Sequence, residues 1–207
     1  MPNLIPLPKK LDFTGGSFPL GAEIACPCSD FLPAANVFAG YFEKIFRQKL
    51  SVSENGGVRV LRTAGLAPEE YRISVREDGV ILEASDAVGI NRAFSTLVQL
   101  TSPDLTVPCC EISDKPDCSY RGCMIDLARV RHDFHYLPEY VDMCWFYRIS
   151  ALHLHFTDSE SYTLPSRLFP RLSTEGRHYT FGQIAELCDY AAARGVELVP
   201  EIDVPGH

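Results

Sequence analysis

The chain has 207 residues, 46% of them apolar, and its 19 Lys and Arg face 27 Asp and Glu for a formal net charge of −8. This composition is typical of a folded globular protein and excludes wholesale disorder. The acidic balance, with no cluster of basic residues, argues against a surface for nucleic acid or anionic membranes, because such a surface needs Lys and Arg to displace counterions. No run approaches the roughly 18 apolar residues of a membrane-spanning helix, so none is predicted.

The N-terminal segment and the cysteines bear on the cellular compartment. The first ten residues contain three prolines and place Lys9 and Lys10 after the apolar residues, the wrong order for a signal peptide. We therefore predict a cytoplasmic protein whose eight cysteines are mostly reduced thiols, since a chain of this length buries its own core. Zinc is the alternative for four cysteines, although two of them are adjacent and lack the spacer of a zinc knuckle. These four are Cys109, Cys110, Cys118 and Cys123.

The first region, residues 1–117, has the pattern of an α+β domain. Apolar residues spaced by three and four predict one helix over 31–49, with Asp30 as its N-cap, and a second over 87–101. Alternating residues predict strands over 57–62, 71–76 and 80–84, with a hairpin turn at 77–79. Two helices on one face of an antiparallel sheet would satisfy these segments.

The second region, residues 118–207, alternates strands and helices and predicts an α/β fold. The predicted strands cover 122–127, 149–156 and 196–202, and the predicted helices cover 137–147 and 180–194, with Gly195 as the stop of the second helix. This order is the opening of a parallel sheet or barrel. A (β/α)8 barrel takes about 250 residues. The barrel interpretation therefore predicts that the sequence is truncated, with only the first three strands of the barrel.

Charged and imidazole side chains follow each of these three predicted strands. Loops at the carboxyl ends of parallel strands converge on one mouth, so these groups are expected to line a polar pocket. Unpaired buried charge would be a costly way to fill a core. Any single acid could instead cap a helix or pair with a neighbour. The groups are Asp126, Arg129, Arg131 and His132 after the first strand, His155 and Asp158 after the second, and Glu201, Asp203 and His207 after the third.

Three segments at these strand ends resemble glycoside hydrolase family 20, the β-N-acetylhexosaminidases. They are RGCMIDLAR at 121–129, LHLHFTD at 152–158 and VPEIDVPGH at 199–207, and their order and separation also match. The last motif is the most specific. The resemblance implies a TIM-barrel catalytic domain that begins at 118 and is truncated here. It also implies a non-catalytic α+β domain over 1–117.

The resemblance implies substrate-assisted retaining hydrolysis of a terminal, β-linked N-acetylglucosamine or N-acetylgalactosamine. In that mechanism the acetamido oxygen of the sugar attacks the anomeric carbon, a Glu protonates the leaving oxygen, and the preceding Asp orients the acetamido group. That Asp-Glu pair lies beyond the third strand, so the chain alone is expected to be inactive. An N-acetylhexosamine-containing glycan is the expected partner, and no metal or cofactor is implied. A non-catalytic carbohydrate-binding module on the same scaffold is the alternative.

The resemblance also implies roles for individual residues. Arg129 matches the arginine that binds hydroxyls of the non-reducing sugar, a task suited to a rigid fork of donors. Asp158 and His207 match the polar pair that supports the acid, with Asp158 orienting the imidazole. Glu201 and Asp203 are expected to support strand and loop geometry.

The sequence departs from the family pattern at two loops. Val130-Arg131 replaces a His-aromatic pair, which makes Arg131 a rival for the sugar-binding role. The segment 159–163 lacks the usual Gly-Trp-Arg, although Tyr162 could offer a stacking face. His153 and His155 share one strand face, so a metal-dependent hydrolase built on this H-x-H pair is a further alternative.

Overall fold

The structure is a computed structural model that describes residues 4–21 and 23–207. The chain divides between Cys118 and Ser119 into two compact units. Within the described ranges, no helix combines the length and the apolar character needed to cross a membrane.

The first unit contains a seven-stranded sheet and two α-helices. The helices are α1 (Leu32–Phe46) and α2 (Ala87–Leu100), and a short 3-10 turn (Ser29–Phe31) precedes α1. The strands are β1 (Lys10–Pro19), β2 (Glu23–Ala25), β3 (Ser51–Ser53), β4 (Val58–Arg62), β5 (Tyr71–Arg76), β6 (Gly79–Ala84) and β7 (Thr106–Asp114).

The sheet of the first unit is mixed, which corrects the antiparallel sheet expected from the sequence. Its order is β1-β7-β5-β6-β4-β2-β3. β1, β7, β5 and β6 pair antiparallel, whereas β6, β4, β2 and β3 pair parallel. The physical reason is connection length: a tight turn between β5 and β6 enforces an antiparallel pair, while the helical crossover through α1 allows β2 to pair parallel with β3 and β4.

Helix α1 begins differently from the prediction. Phe31 is its N-cap residue and makes no side-chain capping bond. Asp30 lies in the preceding 3-10 turn, where its Oδ2 is 2.7 Å from Nη2 of Arg62. Asp30 was therefore wrong as a cap, because an ion pair with strand β4 takes its carboxylate. The helix also ends earlier than expected, since Arg47 adopts the left-handed conformation with φ 58°.

The core between the two helices is aromatic. Phe38 of α1 and Phe94 of α2 stack with ring centroids 4.6 Å apart, and both are fully buried.

Replacing Phe94 with alanine should lower the free energy of unfolding by about 3–5 kcal/mol, because the truncation removes buried area and leaves a cavity. Urea unfolding followed by circular dichroism measures this loss. Leu61→Ala, at an exposed position of β4, is the control and should cost about 1 kcal/mol or less. Equal losses in the two variants would contradict this account of the core.

The second unit contains three parallel strands and two helices in alternation. They are β8 (Gly122–Asp126), α3 (Tyr136–Phe146), β9 (Ala151–His155), α4 (Phe181–Ala193) and β10 (Glu197–Glu201). The sheet order is β10-β9-β8, with β9 in the centre. The strand-helix alternation predicted from the sequence is present. Helix α4 begins at a capping box formed by Thr180 and Gln183, and Gly195, with φ 64°, follows its end.

The cysteines are all free thiols. Cys109 and Cys110 are buried neighbours on β7, and Cys118 is exposed. Cys123 on β8 lies 3.6 Å from Cys144 on α3, sulfur to sulfur. Cys123 is therefore next to Cys144, a cysteine outside the four considered as zinc ligands.

Candidate active site

The carboxyl ends of the three parallel strands meet at one edge of the second unit. In the register of the parallel strands, His155 at the end of β9 is opposite Asp126 of β8 on one side and Glu201 of β10 on the other. The loops that follow these residues therefore start side by side. They carry Arg129 after β8, Asp158 after β9 and His207 after β10.

Asp158 is the centre of the cluster at this edge. Its Oδ2 lies 2.5 Å from Nη2 of Arg129 and 3.0 Å from Nδ1 of His207. Nε2 of His155 lies 3.3 Å from the same oxygen. The other oxygen, Oδ1, accepts hydrogen bonds from the backbone N–H and the hydroxyl of Ser159, at 2.7 and 2.9 Å. The Asp158 side chain is only 3% exposed. Two of the residues predicted from the sequence, Arg129 and His207, therefore contact the same buried carboxylate.

Arg129 lies between two carboxylates. Asp126 Oδ2 accepts a bond from Nη1 at 2.7 Å, and its Oδ1 accepts the backbone N–H groups of Ala128 and Arg129 at 3.1 and 2.9 Å. Asp126 thus folds the start of the loop and holds the guanidinium at the same time. The Arg129 side chain is still 48% exposed, so N–H groups of its guanidinium that face solvent can donate hydrogen bonds to hydroxyl oxygens.

Glu201 lies between the two histidines of β9. Its Oε1 is 2.7 Å from Nδ1 of His155, and its Oε2 is 2.5 Å from Nε2 of His153. Strand alternation places both imidazoles on one face of β9, as the sequence predicted, and both reach the same carboxylate. Asp203 follows on the next loop, where its backbone N–H donates to Thr157 Oγ1 at 2.9 Å.

The charge states in the cluster follow from these contacts. The hydrogen bond with His207, followed by those from Ser159 and His155, holds the pKa of Asp158 well below its usual range. The hydrogen bond with His155 lowers the pKa of Glu201. Burial alone would lower the pKa of His155, but hydrogen bonds with Glu201 and Asp158 outweigh burial and raise it. These directions favour the charged forms of Asp158, Glu201 and His155.

Asp126 follows the same logic. Burial raises the pKa of this carboxyl group, but the hydrogen bonds from the backbone and side chain of Arg129 outweigh burial. The net result is a lowered pKa, so Asp126 is a fixed negative partner for Arg129.

Arg131 and His132 pair with residues other than Asp158. Nη1 of Arg131 pairs with Asp133 at 3.0 Å, and Nδ1 of His132 is 2.7 Å from the hydroxyl of Tyr140. Of the two rival arginines, Arg129 is therefore the one bound to Asp158.

The long loop between β9 and α4 holds the loop that carries Arg129. The buried hydroxyl of Ser161 donates to the carbonyl of Ala128 at 2.6 Å. Nη2 of Arg177 donates to the carbonyls of Ala128 and Arg129 at 3.1 and 3.3 Å. The Tyr179 hydroxyl similarly donates to the carbonyl of His132 at 2.7 Å.

Sequence reasoning missed these three supporting residues, Ser161, Arg177 and Tyr179. Their contacts span 33 to 49 positions of the chain, and no local pattern marks them. Tyr162, considered as a stacking face, is half-buried, and its backbone N–H is bound by Thr174 Oγ1 at 3.0 Å.

The possible metal donors at this edge differ from the predicted H-x-H pair. Among the described residues, the group of three possible donors whose atoms all lie within 4.8 Å of one another is His155, Glu201 and Asp203. Both ring nitrogens of His155 already face carboxylate oxygens. A cation would have to displace one of these hydrogen bonds, so we assign no metal to the cluster.

Comparisons with known proteins identify the family. The model of glycosyl hydrolase family 20, domain 2, matches residues 1–115, and that of glycosyl hydrolase family 20, catalytic domain, matches residues 118–207. The chain belongs to glycosyl hydrolase family 20. A beta-hexosaminidase of Vibrio furnissii is 31% identical over 99% of this chain, and a beta-N-acetylhexosaminidase of Cellulomonas fimi is 38% identical over 67% of it.

Solved structures of the family are also similar. The exo beta-N-acetylglucosaminidase of Vibrio harveyi, in complex with N-acetylglucosamine, matches 99% of the chain with a TM-score of 0.90 at 26% identity. The N-acetyl-beta-hexosaminidase of Streptomyces plicatus matches the same share with a TM-score of 0.90 at 27% identity. The chain spans 38% of the length of the V. furnissii relative and 31% of the C. fimi relative. It spans 36% and 46% of the two solved chains.

Proposed function

We propose that this chain is the N-terminal part of a β-N-acetylhexosaminidase-like glycosidase that releases terminal N-acetylglucosamine or N-acetylgalactosamine from β-linked glycans. In this proposal residues 1–117 form the non-catalytic α+β domain. Residues 118–207 form the first three strands of a truncated (β/α)8 barrel, the catalytic domain. The single observation that supports it best is the carboxylate of Asp158, which joins Arg129 and His207 at the mouth of a parallel sheet.

Arg129 is the sugar-binding residue in this proposal. Its guanidinium is fixed on one side by Asp126 and Asp158 and is about half exposed on the other. A planar fork of donors in that position can bind adjacent hydroxyls of the terminal sugar. Because the fork is held before the sugar arrives, little side-chain entropy is lost on binding.

Asp158 and His207 support the acid-base chemistry. Asp158 contacts Nδ1 of His207, which leaves Nε2 for a second partner, and the His207 side chain is 59% exposed. In substrate-assisted hydrolysis the acetamido oxygen forms a bond to the anomeric carbon as the glycosidic bond breaks, and an enzyme acid protonates the leaving oxygen. An imidazole oriented in this way can hold that acid and tune its protonation.

The first test is activity of the 207-residue chain itself. The sequence contains no Asp followed directly by Glu, the pair that the mechanism needs. The purified chain should therefore not hydrolyse an aryl N-acetylglucosaminide, whereas the longest protein encoded by the reading frame should, if an Asp-Glu pair follows His207. Hydrolysis by the 207-residue chain that survives both purification and His207→Ala would contradict the proposed roles.

A carbohydrate-binding module without catalysis is the second candidate, because the half-exposed guanidinium of Arg129 could bind sugar hydroxyls without any acid-base chemistry. The two are distinguished in the longest encoded protein by titration with a thiazoline analogue of N-acetylglucosamine. Binding without hydrolysis would favour the module. Binding together with turnover of the aryl glycoside would favour the glycosidase.

A further inference from the structure

Two imidazoles and two carboxylates form a row across the ends of β9 and β10. The order of the row is His153, Glu201, His155 and Asp158, with atom pairs separated by 2.5, 2.7 and 3.3 Å. His155 is the interior member that touches both carboxylates, and its side chain is only 5% exposed. The proposed mechanism so far uses Asp158 but leaves His155 without a role.

The two contacts of His155 determine its protonation. A neutral imidazole has one N–H and one lone pair. In either neutral form, one nitrogen of His155 would turn a lone pair toward a carboxylate oxygen of Glu201 or Asp158. At 5% exposure, water gives little screening of that repulsion. An imidazolium donates from both nitrogens and satisfies both carboxylates.

We propose that His155 is a positioning residue: a doubly hydrogen-bonded imidazolium that fixes the Asp158 carboxylate and, through it, the orientations of Arg129 and His207. Its importance for catalysis rests on the proposed function. Its protonation and its effect on Asp158 are properties of this chain alone.

The charges around His155 favour its protonated state. Glu201 faces it from β10, Asp158 faces it from the loop after β9, and Asp126 at the end of β8 adds a third negative group. Arg129 is the nearby cation and pairs with Asp126 and Asp158, so the three carboxylates around His155 still outnumber it. The raised pKa of His155 agrees with this balance.

The role of His155 also explains why Asp158 keeps one orientation. A carboxylate can turn about its terminal torsion and exchange its oxygens. Here Oδ1 is bound by Ser159, while Oδ2 takes the donors from Arg129, His207 and His155. Of the three donors on Oδ2, only His155 is nearly fully buried, so it is the one least able to move with solvent.

The protonation is measured by long-range proton-nitrogen correlation spectra of the 15N-labelled 207-residue chain. We expect both ring nitrogens of His155 to be protonated at pH 6.5. We also expect His155 to titrate at a higher pH in the folded chain than in the chain unfolded in urea. A folded His155 with one unprotonated nitrogen at pH 6.5 would overturn the proposal.

A charge-matched pair of variants tests the source of the effect. Glu201→Gln removes one carboxylate partner and should lower the pKa of His155, whereas Glu197→Gln removes the same charge from an exposed position on the same strand. The Glu197→Gln variant should leave the titration of His155 unchanged. The fluorescence emission of Trp145, the single tryptophan, checks that both variants are folded. Equal effects of the two variants would overturn the proposal.

Substitution of His155 separates its two contacts. His155→Gln can retain a donor toward Asp158, and His155→Asn can retain one only toward Glu201. In the longest encoded protein, His155→Asn should lower kcat/KM about tenfold, with the Gln variant closer to wild type. Equal loss in both would reject positioning through Asp158. If neither the wild-type protein nor any variant hydrolyses the aryl N-acetylglucosaminide, the proposed function fails. The spectra of the 207-residue chain still test the protonation of His155.

Discussion

Replacing Arg129 with alanine should lower kcat/KM for an aryl N-acetylglucosaminide by about 100-fold in the longest protein that the reading frame encodes. The reason is the loss of a fork that Asp126 and Asp158 hold toward the mouth of the sheet. Arg129→Lys should recover only a small part of the loss, because an ammonium group is a point charge that cannot bind two oxygens in one plane. Steady-state kinetics with the aryl glycoside measures both variants.

Arg131→Ala is the matched control for this prediction. It removes the same side chain two positions away, where the guanidinium pairs with Asp133. Activity should stay within about twofold of wild type, because surface substitutions outside a site have small effects. A large loss in the Arg131 variant together with a mild one in the Arg129 variant would exchange their proposed roles.

Acid should destabilise the second unit, and Asp158 should be a main cause. The pKa of Asp158 is held below its ordinary value of 3.8, first by the hydrogen bond with His207. A group of this kind contributes stability above pH 3.8 and loses it as the pH falls through the folded-state pKa. The urea midpoint reported by Trp145 emission should therefore decrease between pH 5 and pH 2. The lowered pKa values of Glu201 and Asp126 act in the same direction.

The Asp158→Asn variant should show about half of that pH-dependent decrease, because a carboxyl group whose pKa is held well below its ordinary value has been removed. It should also be less stable at pH 5, since the amide cannot accept all the donors that reach the carboxylate. Asp189→Asn, at an exposed position of α4, removes the same charge and should retain the full decrease. An unchanged acid profile in the Asp158 variant would show that its contacts do not stabilise the folded state.

The helices and the central strands could be predicted because their signals are local. Spacings of three and four residues mark α2 and α4, and the capping box at Thr180 and the glycine at 195 mark the ends of α4. Strand β1 was not predicted, since it pairs only with β7 at the edge of the sheet and exposes nearly all of its residues. The short alternation of Leu11 and Phe13 with polar residues is interrupted by Gly15 and Gly16, so it does not mark a strand of this length.

The sequence by itself determined the class of the second region and the strand ends that carry Arg129, Asp158 and His207. It determined these features because they depend on residues close together in the chain. Only the tertiary structure decided between Arg129 and Arg131 as the partner of Asp158. Only the tertiary structure also showed that Ser161 and Arg177 donate hydrogen bonds to the loop after β8. The parallel half of the first sheet was decided in the same way. In each case the energy depends on pairing between segments that are distant in sequence, and local spacing does not encode which distant partner a group will meet.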